Sequence, residues 1–555
     1  MPAKPPAGAR KARQWCNLLA ELHPALRAAL ARIYGDETEV LDEKRALLLR
    51  TAEAFAQAFG AEAQAVLVRS TGRVNLMGMH VDHRGGHVNP VAVGEVVFFV
   101  QPRDDDRVVL RNVETDHFGD REFAIAEELP DAKIADWDQW TQAEVAKRKA
   151  AGKAGDWADY VKSAVLYLQH VHTTAEGRFD PALRGMNVMT YGTVPVAAGL
   201  SSSSAIVVAA AEACRHVNAL KLPDRELVDA CAEAEWYVGT RGGGGDHAAI
   251  KFGRLDHVTH IGSFPLTVDW IPFPPACRIV LANSLVKAEK SVGARDAFNQ
   301  RVACYVFGLM MAQRSFPQYA PRLEHLRDLS GPRLGVDEAE VYRVLRCLPQ
   351  RAGRREILAA LPDHVQRVEH VFGSHAEPAD GYRIRQVCVY GVTECLRSEM
   401  AAEKLKGGDV AGFGDLLNLS HDGDRVSRLQ DGRRVPVDNG YGDEKIDALI
   451  ADLASGDPRR IERARLWRQP GGYDVSTEEL DDLVDIARES PGVVGAGLVG
   501  AGLGGSVACV VEAQHAQELV DNFARRYYRP RDLPPAASII RPVGGAGVGL
   551  PGEGL

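Results

Sequence analysis

The sequence predicts a protein of mixed helices and strands that is divided into more than one large domain. The chain has 555 residues, which corresponds to about three to four domains of ordinary length, although two large domains with insertions account for the length equally well. Its residues are 45% hydrophobic and 25% charged, as in ordinary globular proteins that bury a sizeable core. Strand-like runs alternate with long helical patterns along the chain.

The first elements of the N-terminal half are helical, and strands follow them. Residues 1–13 are rich in Pro, Ala, Lys and Arg and are expected to form a disordered tail. Apolar residues at spacings of three and four predict helices near 15–33 and 43–59. Runs of β-branched and apolar residues predict strands at 65–69, 94–100 and 186–195. A helical stretch is predicted between the second and third of these strands, at 135–170.

The C-terminal half alternates strands with long helices. A strand is predicted at 277–284, and helices at 295–313 and 381–406. Residues 422–472 are charged and rich in turn-forming residues, which indicates a surface insertion. The last dozen residues are expected to be a loose tail.

Charge and cysteine content exclude several classes of protein. The formal net charge is −9, and the sequence shows no basic stripe that would indicate a nucleic-acid partner. The N-terminus lacks the apolar core of a secretory signal, and no apolar run approaches the length of about 18 residues that a membrane helix needs. The nine cysteines are scattered and form no CxxC pair. We therefore expect a cytoplasmic protein with no nucleic-acid or membrane partner.

A run of four serines follows a glycine turn and opens an alanine-rich helix. The unpaired N–H groups at a helix N-terminus and the positive end of the helix dipole favour bound phosphate, and a hydroxyl there can help to hold Mg²⁺. The alternative is a serine-rich helix cap without a ligand, although four serines exceed what one cap needs. The candidate phosphate-binding residues are Gly199, Leu200, Ser201, Ser202, Ser203 and Ser204.

A second glycine run, GTRGGGGDHAA at 239–249, ends at Asp246. Glycines allow the backbone to approach a ligand closely, and an aspartate there can act as a base or orient a hydroxyl nucleophile. A flexible surface loop with a solvated aspartate is the alternative, and local chemistry alone slightly favours it.

A third glycine-rich stretch, residues 500–505, contains G-x-G-x-x-G. A dinucleotide-binding site would require a helix after it, whereas residues 506–511 are β-prone, so this interpretation is weak. The histidines His80, His83 and His87 are close in sequence, but Gly85 interrupts any helix that would align them. We do not expect a metal site there. The sequence contains neither a P-loop nor the motifs of protein kinases.

Four motifs together resemble the GHMP kinase superfamily and, within it, the galactokinase family. GRVNLMGMHVDHRGG (72–86) resembles the galactokinase signature, and this motif is also similar to that of galacturonokinases. PVAAGLSSSSA (195–205) resembles the phosphate loop of GHMP kinases. EWYVGTRGGGGDHAA (235–249) is similar to a galactokinase segment and closest to N-acetylgalactosamine kinases. GAGLVGAGLGGSVACVV (495–511) resembles the third GHMP motif. These motifs follow the family's order, and the resemblance runs from about 44 to 548.

The resemblance implies a two-domain fold of α/β and α+β type, with the active site in the cleft between the domains. Residues 1–40 would be a tail and an extra helix. Residues 41–275 would form the N-terminal α/β domain, and residues 276–548 a ferredoxin-like C-terminal domain that carries the insertion near 422–472. Such an enzyme transfers the γ-phosphoryl group of ATP, with Mg²⁺, to the anomeric hydroxyl of a sugar.

The resemblance also implies roles for the catalytic and metal-binding residues. Asp246 corresponds to the catalytic aspartate that faces the anomeric hydroxyl. Arg73 corresponds to the arginine that stabilises the transferring phosphoryl group. Ser203 and Glu235 match residues that are associated with Mg²⁺.

The implied sugar contacts are Asp82, which would hold ring hydroxyls, together with Met79, His80 and Gly245. Met79 stands where galactokinases have a glutamate that contacts the 6-hydroxyl, and a thioether cannot accept that hydrogen bond with comparable strength. A sugar that is altered at carbon 6 therefore becomes plausible.

The third motif also departs from the family's pattern, because Ala496, Gly497, Val499 and Ser506 replace its usual Ser, Arg, Thr and Cys.

The resemblance and these departures leave three hypotheses for the function of the protein. The first is a 1-kinase for galactose or a close analogue. The second is the same chemistry on galacturonate, L-arabinose or N-acetylgalactosamine. The third is a non-catalytic sensor of sugar and ATP. We expect a monomer, with a homodimer as the alternative.

Overall fold

The computed structural model describes residues 6–153, 155–196, 198–286 and 292–550, with the backbone alone for 292–295. Its helices are α1 (Ala12–Ala20), α2 (Pro24–Tyr34), α3 (Thr38–Phe59), α4 (Ile125–Glu128), α5 (Trp137–Ala150), α6 (Ala158–Val171), α7 (Ser202–Val217), α8 (Asp224–Ala234), α9 (Gly245–Phe252), α10 (Val292–Ser315), α11 (Gly331–Leu334), α12 (Glu338–Cys347), α13 (Arg354–Ala360), α14 (Val365–Phe372), α15 (Ile384–Lys406), α16 (Val410–Asp424), α17 (Asp443–Leu453), α18 (Pro458–Ala464), α19 (Glu478–Arg488) and α20 (Ala516–Phe523).

Its strands are β1 (Arg10–Lys11), β2 (Gln64–Asn75), β3 (His87–Val88), β4 (Pro90–Pro102), β5 (Arg107–Asn112), β6 (Arg121–Ala124), β7 (Met186–Gly192), β8 (His257–Gly262), β9 (Thr267–Pro272), β10 (Cys277–Asn283), β11 (Ser427–Gln430), β12 (Arg433–Pro436), β13 (Val493–Val499), β14 (Ser506–Glu512), β15 (Ala537–Ile540) and β16 (Gly547–Val548).

The N-terminal half is built on a mixed sheet with the order β1-β2-β4-β7-β5-β6, and β16 pairs with β2. Side chains alternate between its two faces, as the strand period of two requires. Leu67 and Phe99 belong to the core that α1, α2 and α3 cover. Val68 and Phe98 point the other way, into the core that contains α6 and α7. The sheet is therefore covered on both faces.

The N-terminal helices are part of this domain. Trp15 is buried, donates its indole N–H to the carbonyl of Ala65 at 2.9 Å and packs edge-on against Phe99. The expected disordered tail is wrong for residues 6–13, because β1 pairs with β2 and α1 begins at Ala12. Residues 1–5 lie outside the described part of the chain.

Several predicted elements have different bounds in the structure. The helix expected over 15–33 is broken before Pro24, because proline has no N–H to donate and is tolerated only in a helix's first turn. The stretch 135–170 likewise forms two helices, α5 and α6. At the C-terminus, residues 544–550 are not a loose tail: β16 pairs with β2, and Ala546 donates to the carbonyl of Ile250.

The C-terminal half contains an antiparallel sheet in the order β13-β14-β10-β15, against which α19 and α20 pack. A helical layer that includes α10, α12 and α15 shares its core. Residues 422–472 form the β11–β12 hairpin, α17 and α18, and their side chains Ile446 and Leu466 are fully buried in that core.

The two halves meet along α15. The small sheet β3-β8-β9 packs against this helix, and Asn89 donates its side-chain amide to the carbonyl of Ser398 at 3.0 Å. Lys406 pairs with Asp269 at 2.9 Å. Within the described residues, none of the helices has both the length and the apolar character needed to cross a membrane.

Candidate active site

An arginine and an aspartate from distant parts of the chain form a bidentate pair. Arg73 lies near the end of β2, which runs to Asn75 rather than ending at 69 as expected. Asp246 lies in the first turn of α9. The Nε and Nη2 atoms of Arg73 donate to the two carboxylate oxygens of Asp246 at 2.7 and 2.8 Å. The Arg73 side chain is almost buried, whereas that of Asp246 is 37% exposed. The carboxylate is therefore fixed in orientation and still accessible to a ligand.

The serine loop, residues 198–204, meets this pair. Arg73 also donates to the carbonyl of Gly199, and Ser201 donates its hydroxyl to Asp246 at 2.5 Å. Ser201 precedes α7 and has a positive φ of 55°, and the side chains of Ser202 and Ser203 are half-buried. The N-terminus of α7, where a phosphate is favoured, thus lies beside the accessible carboxylate.

The third glycine loop, residues 500–505, closes on the serine loop from the C-terminal half. Ser506 donates its hydroxyl to the carbonyl of Ala198 at 2.9 Å. A Cβ atom on Gly199 would lie 2.7 Å from the carbonyl oxygen of Val499, and one on Gly500 would lie 3.1 Å from Cα of Gly199. Both glycines have positive φ values. No side chain fits at this contact, which explains why both motifs are rich in glycine.

A serine hydroxyl and a buried carboxylate form a second polar pair near the start of α7. Ser204 donates to Oε1 of Glu235 at 2.8 Å, so the hydroxyl that reaches Glu235 is that of Ser204, one residue beyond the expected Ser203. His247 lies 3.5 Å from the same oxygen, and its two ring nitrogens have no hydrogen-bond partner within the described residues. Hard oxygen donors beside a phosphate site fit Mg²⁺, which binds through one or two carboxylates together with substrate phosphates.

The signature loop, residues 76–86, carries Asp82 to the glycine run at 242–245. A Cβ atom on Gly243 would lie 2.8 Å from Oδ2 of Asp82, and one on Gly245 would lie 3.2 Å from it. Burial raises the pKa of Asp82, but the hydrogen bond from His83 at 3.0 Å and the charge of Arg73 outweigh it and lower the pKa to about 2. Asp82 is therefore an ionised acceptor close to Asp246.

The side chain of His80 points away from Asp82 and the glycine run. Its ring stacks on Tyr473 at 4.2 Å between centroids, and its Nε2 lies 3.4 Å from Oδ1 of Asp424 in the C-terminal half. The side chain is almost fully buried there. His80 therefore joins the two halves of the chain, and its contacts are with protein groups.

Met79 is 5% exposed, and its sulfur lies 3.6 Å from the amide nitrogen of Asn75. Arg84, also in the signature loop, has no hydrogen bond or ion pair for its guanidinium within the described residues, and its Nε is buried. Its nearest aromatic neighbour is Tyr305, with 5.8 Å between the guanidinium carbon and the ring centroid. Burial of the charge lowers the pKa of Arg84. An unpaired buried cation is unfavourable and is an expected receptor for an anionic group.

The structure brings most of the expected residues together and adds others. Asp246, Arg73, Asp82, Gly245 and the serine loop converge, while His80 turns into the C-terminal half. Sequence reasoning missed the C-terminal residues that contact the signature loop, among them Glu394, which accepts from its backbone, and Arg327, which donates to the carbonyl of Gly85 at 2.9 Å. The pairing of Glu394 with Arg397 at i, i+3 on a largely apolar helix was the available signal.

Three family models match the chain at these elements. The GHMP kinases N terminal domain matches residues 159–254, and the GHMP kinases C terminal model matches residues 449–529. The galactokinase galactose-binding signature matches residues 53–101, which include the signature loop. The chain thus matches both GHMP kinase domain models, which indicates a phosphotransferase.

Within the GHMP kinases, the chain is similar to several curated galactokinases and to a solved galactokinase structure. A galactokinase of Roseiflexus sp. (strain RS-1) is 26% identical over 478 residues, which cover 86% of this chain and 90% of the relative. One of Enterococcus faecalis is 26% identical and covers 85% and 92%. The crystal structure of Lactococcus lactis galactokinase with galactose shares the fold, with a TM-score of 0.61, 20% identity and 89% and 97% coverage. Over most of its length the chain is therefore similar to galactokinases.

Proposed function

We propose that this protein transfers the γ-phosphoryl group of ATP to the anomeric hydroxyl of a galacto-configured sugar. The observation that carries the proposal is the Arg73–Asp246 pair at the N-terminus of α7, with the ionised Asp82 close by. The match to the galactose-binding signature and the similarity to galactokinases support the choice of sugar.

Each residue of the candidate site has a separate role in phosphoryl transfer, a reaction that depends chiefly on positioning and on stabilising charge. The open face of Asp246 receives the anomeric hydroxyl and its proton. Arg73 holds that carboxylate in place and supplies positive charge beside the transferring group. The serine loop and the N-terminus of α7 receive the phosphates, and Asp82 accepts hydrogen bonds from ring hydroxyls.

The arrangement also offers oxygen ligands for a divalent ion, near the start of α7. Ser204 and Glu235 would hold Mg²⁺ beside the phosphates. Bound Mg²⁺ would neutralise charge on the β- and γ-phosphates.

The direct test is ADP release measured with a panel of sugars, followed by phosphorus NMR of the product. We expect a phosphate ester at the anomeric carbon. Binding of sugar and ATP without turnover would instead support the non-catalytic sensor, and phosphorylation at another hydroxyl would contradict the proposed role of Asp246.

A second candidate substrate is a sugar that carries a carboxylate at carbon 6, such as galacturonate. Met79 offers no carboxylate that would repel it, and the unpaired guanidinium of Arg84 favours an anionic group. A site built to bind a hydroxyl rejects analogues that lack it by as much as about 10⁴–10⁵-fold, because its own polar group is left unpaired. With methionine at this position, that penalty is absent.

The kcat/KM values for galactose, L-arabinose and galacturonate decide between the candidates. We expect Met79→Glu to shift preference toward galactose, and Arg84→Gln to lower kcat/KM for galacturonate alone. Met79→Leu, which keeps the apolar volume, is the matched control and should leave the ranking unchanged. A wild-type preference for galactose of about a hundredfold or more would contradict this reading of Met79.

Domain limits, oligomeric state and location complete the proposal. We place the N-terminal kinase domain at 41–275 and the C-terminal domain at 276–548, acting as a monomer on a small-molecule sugar. A cytoplasmic location is supported by the cysteines, all nine of which are free thiols, as is usual in a reducing compartment.

A further inference from the structure

The signature loop is held from the C-terminal half by one buried carboxylate. Oε1 of Glu394, on α15, accepts hydrogen bonds from the backbone N–H groups of Gly78 and Met79, both at 3.0 Å. The same oxygen accepts the hydroxyl of Ser420 on α16 at 2.8 Å. One side chain of the C-terminal half therefore satisfies two consecutive backbone donors of the N-terminal half.

The carboxylate is itself fixed by an arginine one helical turn away. Oε2 of Glu394 accepts from Nε of Arg397 at 2.9 Å, and both side chains are 0% exposed. Arg397 also donates to the carbonyls of Trp467 and Gln469, at 3.1 and 2.8 Å. Such a buried pair stabilises little compared with apolar packing, whereas its hydrogen bonds fix the orientation of the Glu394 carboxylate.

The backbone at this turn is strained and closely packed. Gly78 has a φ of 90°, and a Cβ atom there would lie 1.9 Å from the carbonyl oxygen of His87. His80, two residues on, also has a positive φ. The turn that leads from Gly78 to Asp82 thus combines strained residues with close backbone contacts, and Glu394 binds its first two N–H groups.

We propose that Glu394 is a positioning residue for the sugar. It does not touch the substrate and acts through the backbone of Gly78 and Met79, which sets where Asp82 presents its carboxylate. Arg397 holds the Glu394 carboxylate in its orientation. The inference rests on the proposed function, because it assigns Asp82 to the sugar.

Two variants test the proposal. Glu394→Ala leaves two buried N–H groups without an acceptor and should raise the KM for sugar by about tenfold or more. The KM for ATP should stay within about twofold, because the serine loop is not contacted. Glu394→Gln should lie between Glu394→Ala and wild type, since its amide oxygen still accepts both N–H groups. If Glu394→Ala fails to fold, the comparison rests on Glu394→Gln.

The matched control is Glu95→Ala. Glu95 is also a fully buried glutamate that pairs with an arginine, Arg69 at 2.8 Å, but this pair lies beside the N-terminal helices, where Arg69 also donates to Tyr34 of α2. Its loss should lower stability without changing the KM for sugar. Equal rises in both KM values, in Glu394→Ala or in the control, would show a general structural effect and overturn the proposal.

Hydrogen exchange gives a readout that needs no substrate. Amides in residues 76–86 should exchange faster in Glu394→Ala than in wild type, whereas those of α7 should not. Unchanged exchange at Gly78 and Met79 would overturn the proposal even if activity fell. If wild type phosphorylates no sugar, the proposed function fails, and the exchange experiment alone decides whether Glu394 holds the loop.

Discussion

Replacing Asp246 with asparagine isolates the role of one carboxylate. Arg73 makes two charge-assisted hydrogen bonds to Asp246, at 2.7 and 2.8 Å, and Ser201 makes a third contact with the same group. Asparagine preserves the shape but keeps only one acceptor oxygen. One guanidinium N–H loses its partner, and the site loses the group that takes the proton from the anomeric hydroxyl.

The expected effect of Asp246→Asn combines these losses. A hydrogen bond to a charged group contributes about 1.5–3 kcal/mol, and a positioned acid–base group contributes about 10²–10⁴-fold in rate. We therefore expect kcat with the best sugar to fall by about 10²–10⁴-fold. The affinity for ATP, measured by calorimetry, should change little, because the phosphates bind at the serine loop.

The chain offers a matched control for this variant. Asp256 forms the same bidentate pair with Arg541, with both contacts at 2.8 Å, on the surface of the N-terminal half. Exposed pairs of this kind contribute about 0–1 kcal/mol, so Asp256→Asn should leave kcat almost unchanged. If Asp246→Asn retained about a tenth or more of the wild-type rate, or if both variants lost activity equally, Asp246 would not be the catalytic residue.

Three further variants test other parts of the structure. Ser202→Ala combined with Ser203→Ala should weaken ATP binding by about tenfold and leave sugar binding intact, since these residues open the phosphate-facing helix; unchanged nucleotide affinity in calorimetry would reduce the serines to a helix cap. Glu235→Gln should raise the Mg²⁺ concentration needed for half-maximal activity, because an amide is a weaker ligand than a carboxylate; an unchanged Mg²⁺ titration would remove Glu235 from the metal site. Trp15→Ala should lower the free energy of unfolding by about 3–5 kcal/mol in denaturant titrations, with kcat retained while the protein is folded; a much smaller loss would contradict its packing role.

The sequence predicted the elements whose patterns are local. Glycine turns, the serine run and the order of the motifs predicted a phosphate site, and the structure brings Asp246 and Arg73, 173 residues apart in sequence, together beside the serine run. The predicted helix bounds were wrong where a residue such as Pro24 ends a helix although the apolar pattern continues. The terminal segments were mistaken for tails because strand pairing such as that of β16 with β2 depends on distant residues.

Side-chain direction was the least predictable feature of the site, and the signature loop shows why. His80 and Asp82 are two residues apart, yet one stacks on Tyr473 and the other reaches the glycine run. The positive φ of His80 reverses the direction in which the chain presents its side chains, and this conformation is held by partners more than 300 residues away. A motif therefore identifies which residues approach the substrate only when the contacts behind it are known. In this chain those contacts include the two hydrogen bonds to Glu394, and substitutions there should alter sugar recognition although no residue of the motif has changed.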